Sequence, residues 1–379
     1  MQKIKSVAIN AWILKNKKID GIGVFTIETT LHLAKINPNI TYHVLTDWDY
    51  KCEYFNMQNN IVINKIFPTK RHPILYLIFL ETVLPIFLYL KKIDVFVGMD
   101  GMLSLVSRKK QISIIHDLNF VHYPEFLPFR NRIFYRILFP YYARKSDAIA
   151  TVSEFTKQDI VLCYGIRSEK ITVVYCAAKN IFHPISETEK YNIRINNTSN
   201  HPYFIFIGTI HPRKNLENTL KAFEIFTREN KNFKLVLVGN QMWNNKNIHQ
   251  LILDLKIKNQ VIIKGRLSDC ETNDLLAGAE ALLFMSHFEG FGIPILEAFA
   301  TETPVICSNT TSLNEISGDA ALTANPKDPS AIADNMLKLI GSRELRGNLI
   351  QKGIKRNQDF SWEKTSMNIF NIIASINGN

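Results

Sequence analysis

Short, unbroken runs of apolar and β-branched residues recur along this chain. In the first half they occupy 6–14, 40–45, 61–66, 93–97, 112–115, 148–152 and 171–174. In the second half they occupy 203–207, 233–238, 261–263, 281–284 and 304–307. Between them lie longer stretches of helical period, such as 215–229 and 330–349. A strand that is apolar throughout is buried on both faces, which requires a parallel sheet covered by helices on either side. The alternation happens twice, so the expected architecture is α/β with two doubly wound domains. The 379 residues suffice for two cores.

The stretch 184–202 is polar, rich in asparagine and without clear period. It is read as the linker between a first domain, 1–185, and a second, 200–361. The tail from Trp362 reads as one last amphipathic helix (362–379) that packs back on the first domain. The apolar run 7–14 is interrupted by Asn10 and lacks a small-residue cleavage pattern, so it reads as a first strand rather than a secretory signal. The segment 74–90 is almost wholly apolar, broken by Glu81, Thr82 and Pro85, with Lys70, Arg71, His72, Lys91 and Lys92 around it. A central glutamate and a proline make insertion across a bilayer costly. A core helix and a helix lying on an anionic membrane face are the leading readings, with a true span as the third.

The 45 basic and 34 acidic residues leave a formal charge of +11, which calls for an anionic partner. The cations are dispersed, and no zinc finger, RNP or basic-helix pattern occurs, so nucleic acid is not expected. Cys52, Cys163, Cys176, Cys270 and Cys307 form no C-x-x-C, which argues against a zinc site or a disulfide framework.

The chemistry concentrates in SHFEGFGIPILEAFA, residues 286–300. A strand runs into a loop carrying Glu289, Gly290, Phe291 and Gly292. Pro294 then suits a helix start, where its missing N–H costs nothing. This places Glu297 in the first helical turn. Glycines let backbone approach a ligand, and amides at a helix start bind anions. Carboxylates on either side are good acceptors for sugar hydroxyls. A second block, IFIGTIHPRKN (205–215), puts Arg213 and Lys214 just before a helix, where they can neutralise a diphosphate.

Glu289-x7-Glu297 with its internal G-F-G, followed by TPVICS, resembles the donor-site block of the retaining family 4 glycosyltransferases of the GT-B fold, over some 35 residues. The resemblance implies two Rossmann-like domains facing each other across a cleft that closes to exclude water. It implies a nucleotide-diphosphate sugar as co-substrate, with no cofactor and no metal. Glu297 is then assigned to the ribose, and Arg213 and Lys214 to the diphosphate. Glu289, with the backbone of Phe291, Gly292 and Ile293, is assigned to the sugar. The usual arginine after Gly208 is Thr209 here, so Arg213 is the arginine at hand. Arg266 is assigned to phosphate or base. Gly21 and Gly23, in DGIGVFT after the first strand, correspond to a glycine turn near donor or acceptor. His116, in SIIHDLNFVHYPE, corresponds to a histidine beside the transferred sugar; Asp117 and Ser153 are weaker echoes, and His122 and Glu125 fall on the acceptor side.

Look-alikes of HPRKN and SHFEGFGIPILEA are bacterial mannosyltransferases of surface polysaccharides, which makes GDP-mannose the leading donor, ahead of UDP-hexoses and UDP-N-acetylhexosamines. The implied acceptor is a lipid-linked or lipopolysaccharide glycan at the inner face of the cytoplasmic membrane. An epimerase or phosphorylase on this fold, or a non-catalytic sugar-nucleotide scaffold, are the readings from other classes. Asp47-Trp48-Asp49 matches a metal-binding D-x-D, but the rest of that pattern is missing.

Overall fold

The computed structural model describes residues 4–14, 19–47, 54–55, 58–67, 73–240 and 246–377. The chain divides into two compact units, Met1–Cys176 with Ser361–Asn379, and Ala177–Phe360. The first holds β1 (Ser6–Asn10), β2 (Thr41–Asp47), β3 (Ile61–Ile66), β4 (Val95–Gly98), β5 (Lys110–Ile115), β6 (Ala148–Thr151) and β7 (Ile171–Val173). They form one parallel sheet in the order β3-β2-β1-β4-β5-β6-β7. The second holds β8 (Tyr203–Ile207), β9 (Lys234–Val238), β10 (Val261–Gly265), β11 (Ala281–Phe284), β12 (Val305–Ser308) and β13 (Leu322–Ala324), in the parallel order β10-β9-β8-β11-β12-β13. Each sheet therefore reverses its winding once, between β1 and β4 and between β8 and β11. A ligand crevice opens at such a switch point, at the carboxyl ends of the strands.

Each of the twelve apolar runs forms a strand. The strand missing from the sequence reading, β13, is three residues of an edge with one buried side chain, too short for a period to show. The run 6–14 stops as a strand at Asn10. The Asn10 carboxamide oxygen accepts the Trp12 N–H (3.2 Å) and bends the chain, and its NH₂ donates to the Tyr76 hydroxyl (2.9 Å) and to Asp100 (3.0 Å). A buried amide with these partners is satisfied, so the interruption costs the core little.

The expected linker is corrected. The division between units falls at Cys176/Ala177, and most of 184–202 is the Glu187–Thr198 helix of the second unit. Its start is a reciprocal Ser186/Glu189 capping box, and Arg194 ties it to the Gly278 carbonyl (3.1 Å) and to Glu280 (2.8 Å). The helix has little apolar surface, so period failed to show it. The S-x-x-E box was the legible signal.

The Trp362–Asn377 helix belongs to the first unit. Trp362, Thr365, Ser366, Ile369, Ile372, Ile373 and Ile376 form its buried stripe, spaced three and four apart as a helix face requires. It lies on the Gly21–Ile36 helix, where Trp362 meets Phe25 edge-on and Glu363 pairs with His32 (3.2 Å). The segment 74–90 is a continuous helical run, Pro73–Ile78, a π-helical turn Phe79–Val83, and Leu84–Leu90. Lys70, Arg71 and His72 lie outside the described residues. No helix among the described residues is long and apolar enough to cross a membrane.

Candidate active site

Strand pairing builds the site of the second unit. β8 and β11 are neighbours, so the loops leaving their carboxyl ends, 208–215 and 285–292, lie side by side although 75 residues separate Lys214 from Glu289. The first loop ends in a 3₁₀ turn, Pro212–Lys214, whose His211 ring accepts the Arg213 N–H (3.2 Å). Asn215 follows in the left-handed region (φ 55°) and is buried. Its amide donates to the Met285 (2.9 Å) and Pro326 (2.6 Å) carbonyls, which repays the strain of that conformation. His287 N–H donates to the Arg213 carbonyl (2.9 Å), and the Arg213 guanidinium donates to the Phe288 carbonyl (2.6 Å). The loops are thus stitched together before any ligand arrives.

The stitching gathers three charges. Arg213 Nη1 lies 2.8 Å from Glu289 Oε2, and Lys214 Nζ lies 2.6 Å from Glu289 Oε1. Lys214 Nζ also sits 4.9 Å from the centre of the Phe284 ring. Burial by itself would raise the Glu289 pKa. The two cations overturn that and hold it at about 2. The cluster is fully ionised at neutral pH, with one carboxylate against two cations.

Two glycines make the geometry attainable. Gly292 has φ 108°, and a side chain there would come within 2.7 Å of Leu313. At Gly239 a Cβ would stand 1.8 Å from the Gly208 carbonyl oxygen, so the turn carrying Lys214 rests on a bare backbone at the end of β9. Thr311 and Ser312 complete the support. The Thr311 hydroxyl accepts the Glu289 N–H (3.3 Å), and the Ser312 hydroxyl bonds the Glu289 (2.9 Å) and Phe291 (3.0 Å) carbonyls. Asn215, Gly239, Thr311 and Ser312 escaped the sequence reading. Asn215, directly after the Arg-Lys pair, and Thr311 and Ser312, in the donor-site block of some 35 residues, stand inside the stretches the sequence singles out; Gly239 stands outside both.

Gly290 and Phe291 are buried in the loop, with the Phe291 ring edge-on to Phe360. The helix that follows is Ile293–Ala300 with Pro294 at its start. Glu297 is its fifth residue, not part of the first turn, because the helix begins only after Gly292. Pro294 has no N–H and the Ile295 N–H bonds the Gly292 carbonyl (3.0 Å), so Ile293 supplies the amide at this helix start. Glu297 is buried, and that burial raises its pKa to about 7; Lys179 works against the rise and Asp269 with it. Arg266 lies exposed after β10, two strands from β8, outside the ion-paired cluster.

In the first unit, Gly21 and Gly23 begin the Gly21–Ile36 helix. The Asp20 carboxylate caps it by accepting the Gly23 N–H (2.9 Å), so this turn has a structural partner of its own. His116 directly follows β5, with Nε2–H donating to the Met99 carbonyl (2.8 Å) and its ring edge-on to Phe25. Burial lowers its pKa, against the Met99 bond, so the imidazole is neutral at pH 7. Asp117 caps Asn119 (3.0 Å), and Ser153 caps the Glu154–Tyr164 helix. His122 bonds the Asp159 carboxylate (2.8 Å), beside the Cys163 thiol (3.4 Å). Of the D-x-D, Trp48 and Asp49 lie outside the described residues.

Two parallel sheets of one winding, with an anion-ready cluster at the switch point of the second, define a GT-B protein. Known proteins agree. Residues 19–178 match the model of Glycosyltransferase Family 4, and residues 187–356 match that of Glycosyl transferases group 1. The chain belongs to this family and is a glycosyltransferase. O-antigen chain mannosyltransferase B of Escherichia coli is 29% identical over 271 residues, 69% of this chain and 70% of that one. O-antigen chain mannosyltransferase RfbU of Salmonella typhimurium is 30% identical over 221 residues, 58% of each. Among solved structures, sucrose-phosphate synthase of Thermosynechococcus elongatus superposes with a TM-score of 0.81 at 15% identity, over 98% of this chain and 99% of that one.

Proposed function

We propose that this protein transfers a mannosyl residue from GDP-mannose, with retention at the anomeric carbon and without a metal, to a lipid-linked or lipopolysaccharide glycan at an anionic membrane surface. The Arg213–Lys214–Glu289 cluster, its carboxylate buried and its cations half-buried, carries the reading. The similarity to two O-antigen mannosyltransferases supports the sugar and the class of acceptor. On binding, the diphosphate displaces Glu289 from the two cations, and the freed carboxylate accepts hydrogen bonds from the sugar hydroxyls. In transfer, the bond from the anomeric carbon to the phosphate oxygen breaks and its electrons stay on that oxygen, facing Arg213 and Lys214. The acceptor oxygen bonds the same carbon from the same side, and its proton passes to the departing phosphate. Preorganised cations stabilise the charge as it develops. The family resemblance supports His116 of the first unit as the residue that contacts the transferred sugar, and its burial favours the neutral ring.

A thermal-shift panel tests the donor. GDP and GDP-mannose are expected to raise the melting temperature most. A larger shift with UDP and UDP-hexoses would move the assignment to a UDP-sugar, and no shift with any nucleotide would remove the donor site. Product analysis with anomerically defined donor checks retention, and full activity in chelator checks metal independence.

The Glu297 carboxyl gives a pH test. The folded state holds its proton between 4.5 and about 7, where the unfolded chain has lost it, so its burial costs stability as pH rises through that window. A carboxylate accepting ribose hydroxyls is favoured over the protonated form. Affinity for a nucleotide-diphosphate sugar is therefore expected to rise about tenfold per pH unit below 7 and to level off above it. Titration calorimetry should show proton release at pH 6, and Glu297→Gln should flatten the profile. A flat profile in the unmodified protein would remove Glu297 from ribose binding.

A further inference from the structure

Two helical runs of the first unit turn more apolar surface outward than water-facing helices need. The Phe129–Lys145 helix buries Phe139, Tyr142 and Ala143. Its opposite face exposes Phe129, Ile133, Ile137 and Tyr141, spaced four residues apart, with Phe129 74% and Ile137 54% exposed. Arg130, Arg132, Arg136, Arg144 and Lys145 are exposed beside them, and the helix has no acidic residue. Asp147, just beyond, faces Lys110 (3.3 Å). The 73–90 run repeats the pattern. Tyr76, Phe79, Leu80, Leu84 and Leu88 point inward, while Ile74, Ile78, Ile86, Tyr89 and Leu90 point outward, Tyr89 being 77% exposed. Lys91 and Lys92 follow, exposed. Glu81, the residue that argued against a bilayer span, is turned to the protein, where its carboxylate accepts the N–H groups of Leu105 (3.0 Å) and Val106 (3.1 Å). The inner faces of both runs enter one core cluster and the runs touch, so their outer faces form one layer on one side of the sheet.

We infer that this two-helix layer seats the protein on an anionic lipid surface, its outer apolar stripes at the acyl boundary and its arginines at the phosphates. Apolar stripes bordered by cations are the composition of interfacial helices, and long basic side chains reach headgroups while their stems stay in apolar surroundings. Charge decides against a second copy as occupant. A two-fold contact would set this basic face against itself, and like charges across an interface disfavour it. The inference takes its purpose from the proposed lipid-linked acceptor, but its evidence is separate from the donor site.

The test is flotation of the full chain with phosphatidylcholine vesicles, with and without phosphatidylglycerol. The protein is expected to float only with the anionic vesicles. Arg132→Glu/Arg136→Glu and Ile133→Asp/Ile137→Asp should each lower partitioning about 30-fold or more, since each basic residue near the surface matters by several-fold. The nucleotide-induced thermal shift should stay unchanged in both variants, which shows an intact fold and separates this test from that of the donor site. The inference is overturned if the protein ignores anionic vesicles, binds neutral ones equally, or floats undiminished in either variant. It is also overturned if the protein is a dimer in solution that Ile133→Asp/Ile137→Asp makes monomeric.

Discussion

Replacing Lys214 by alanine is expected to lower transfer turnover by at least ~10²-fold, the scale of losing one preorganised electrostatic stabiliser. Without nucleotide its Nζ is held by the Glu289 carboxylate (2.6 Å) near the Phe284 ring, so its charge is already at the site when the diphosphate arrives. Arginine at this position should rescue little, because its planar fork replaces a compact ammonium in a closely lined space. Glu289 keeps Arg213 as partner at 2.8 Å, so the variant should remain folded, which a melting curve checks. Turnover near that of the unmodified protein would remove the diphosphate assignment.

Glu289→Gln is expected to act in opposite directions on binding and on transfer. The glutamine leaves two half-buried cations without their carboxylate, at a cost below the about 3–5 kcal/mol of breaking a fully buried pair from one side. The nucleotide-free protein should therefore melt at lower temperature. A nucleoside diphosphate then meets uncompensated cations and no competitor, so its affinity should rise at least ~10-fold, equivalent to about 1.4 kcal/mol. Turnover should nevertheless fall ~10²-fold or more, because the sugar loses its charged acceptor. Calorimetry with the nucleoside diphosphate, beside a transfer assay, reads both effects. Parallel loss of affinity and turnover would show that Glu289 does not compete with the phosphate.

The site shows how far sequence reasoning reaches. The G-F-G turn, Pro294 and the Arg213–Lys214 pair announced themselves because turn formation and helix starts depend on near neighbours. The triple charge cluster did not, for no local rule places residue 289 on residue 214. The helix at 187–198 was read as linker because apolar period was the criterion, whereas capping and Arg194 hold it. Glu81 counts against a bilayer span but says nothing of a surface contact until its direction is known. The structure turns it onto backbone N–H groups, and the outer stripe is left apolar and basic.

By itself the sequence determined twelve of the thirteen described strands, their parallel burial in two units, and the residue types at each strand end, since these follow from side-chain period and backbone freedom over a few residues. Tertiary structure alone decided which strand ends meet. Pairing β8 with β11 turns a basic turn and an acidic loop into one ion cluster. Their surroundings then split two glutamates eight residues apart: Arg213 and Lys214 hold one ionised near pKa 2 against its burial, and burial raises the other to about 7, because a carboxyl's charge is set by the groups and the water around it.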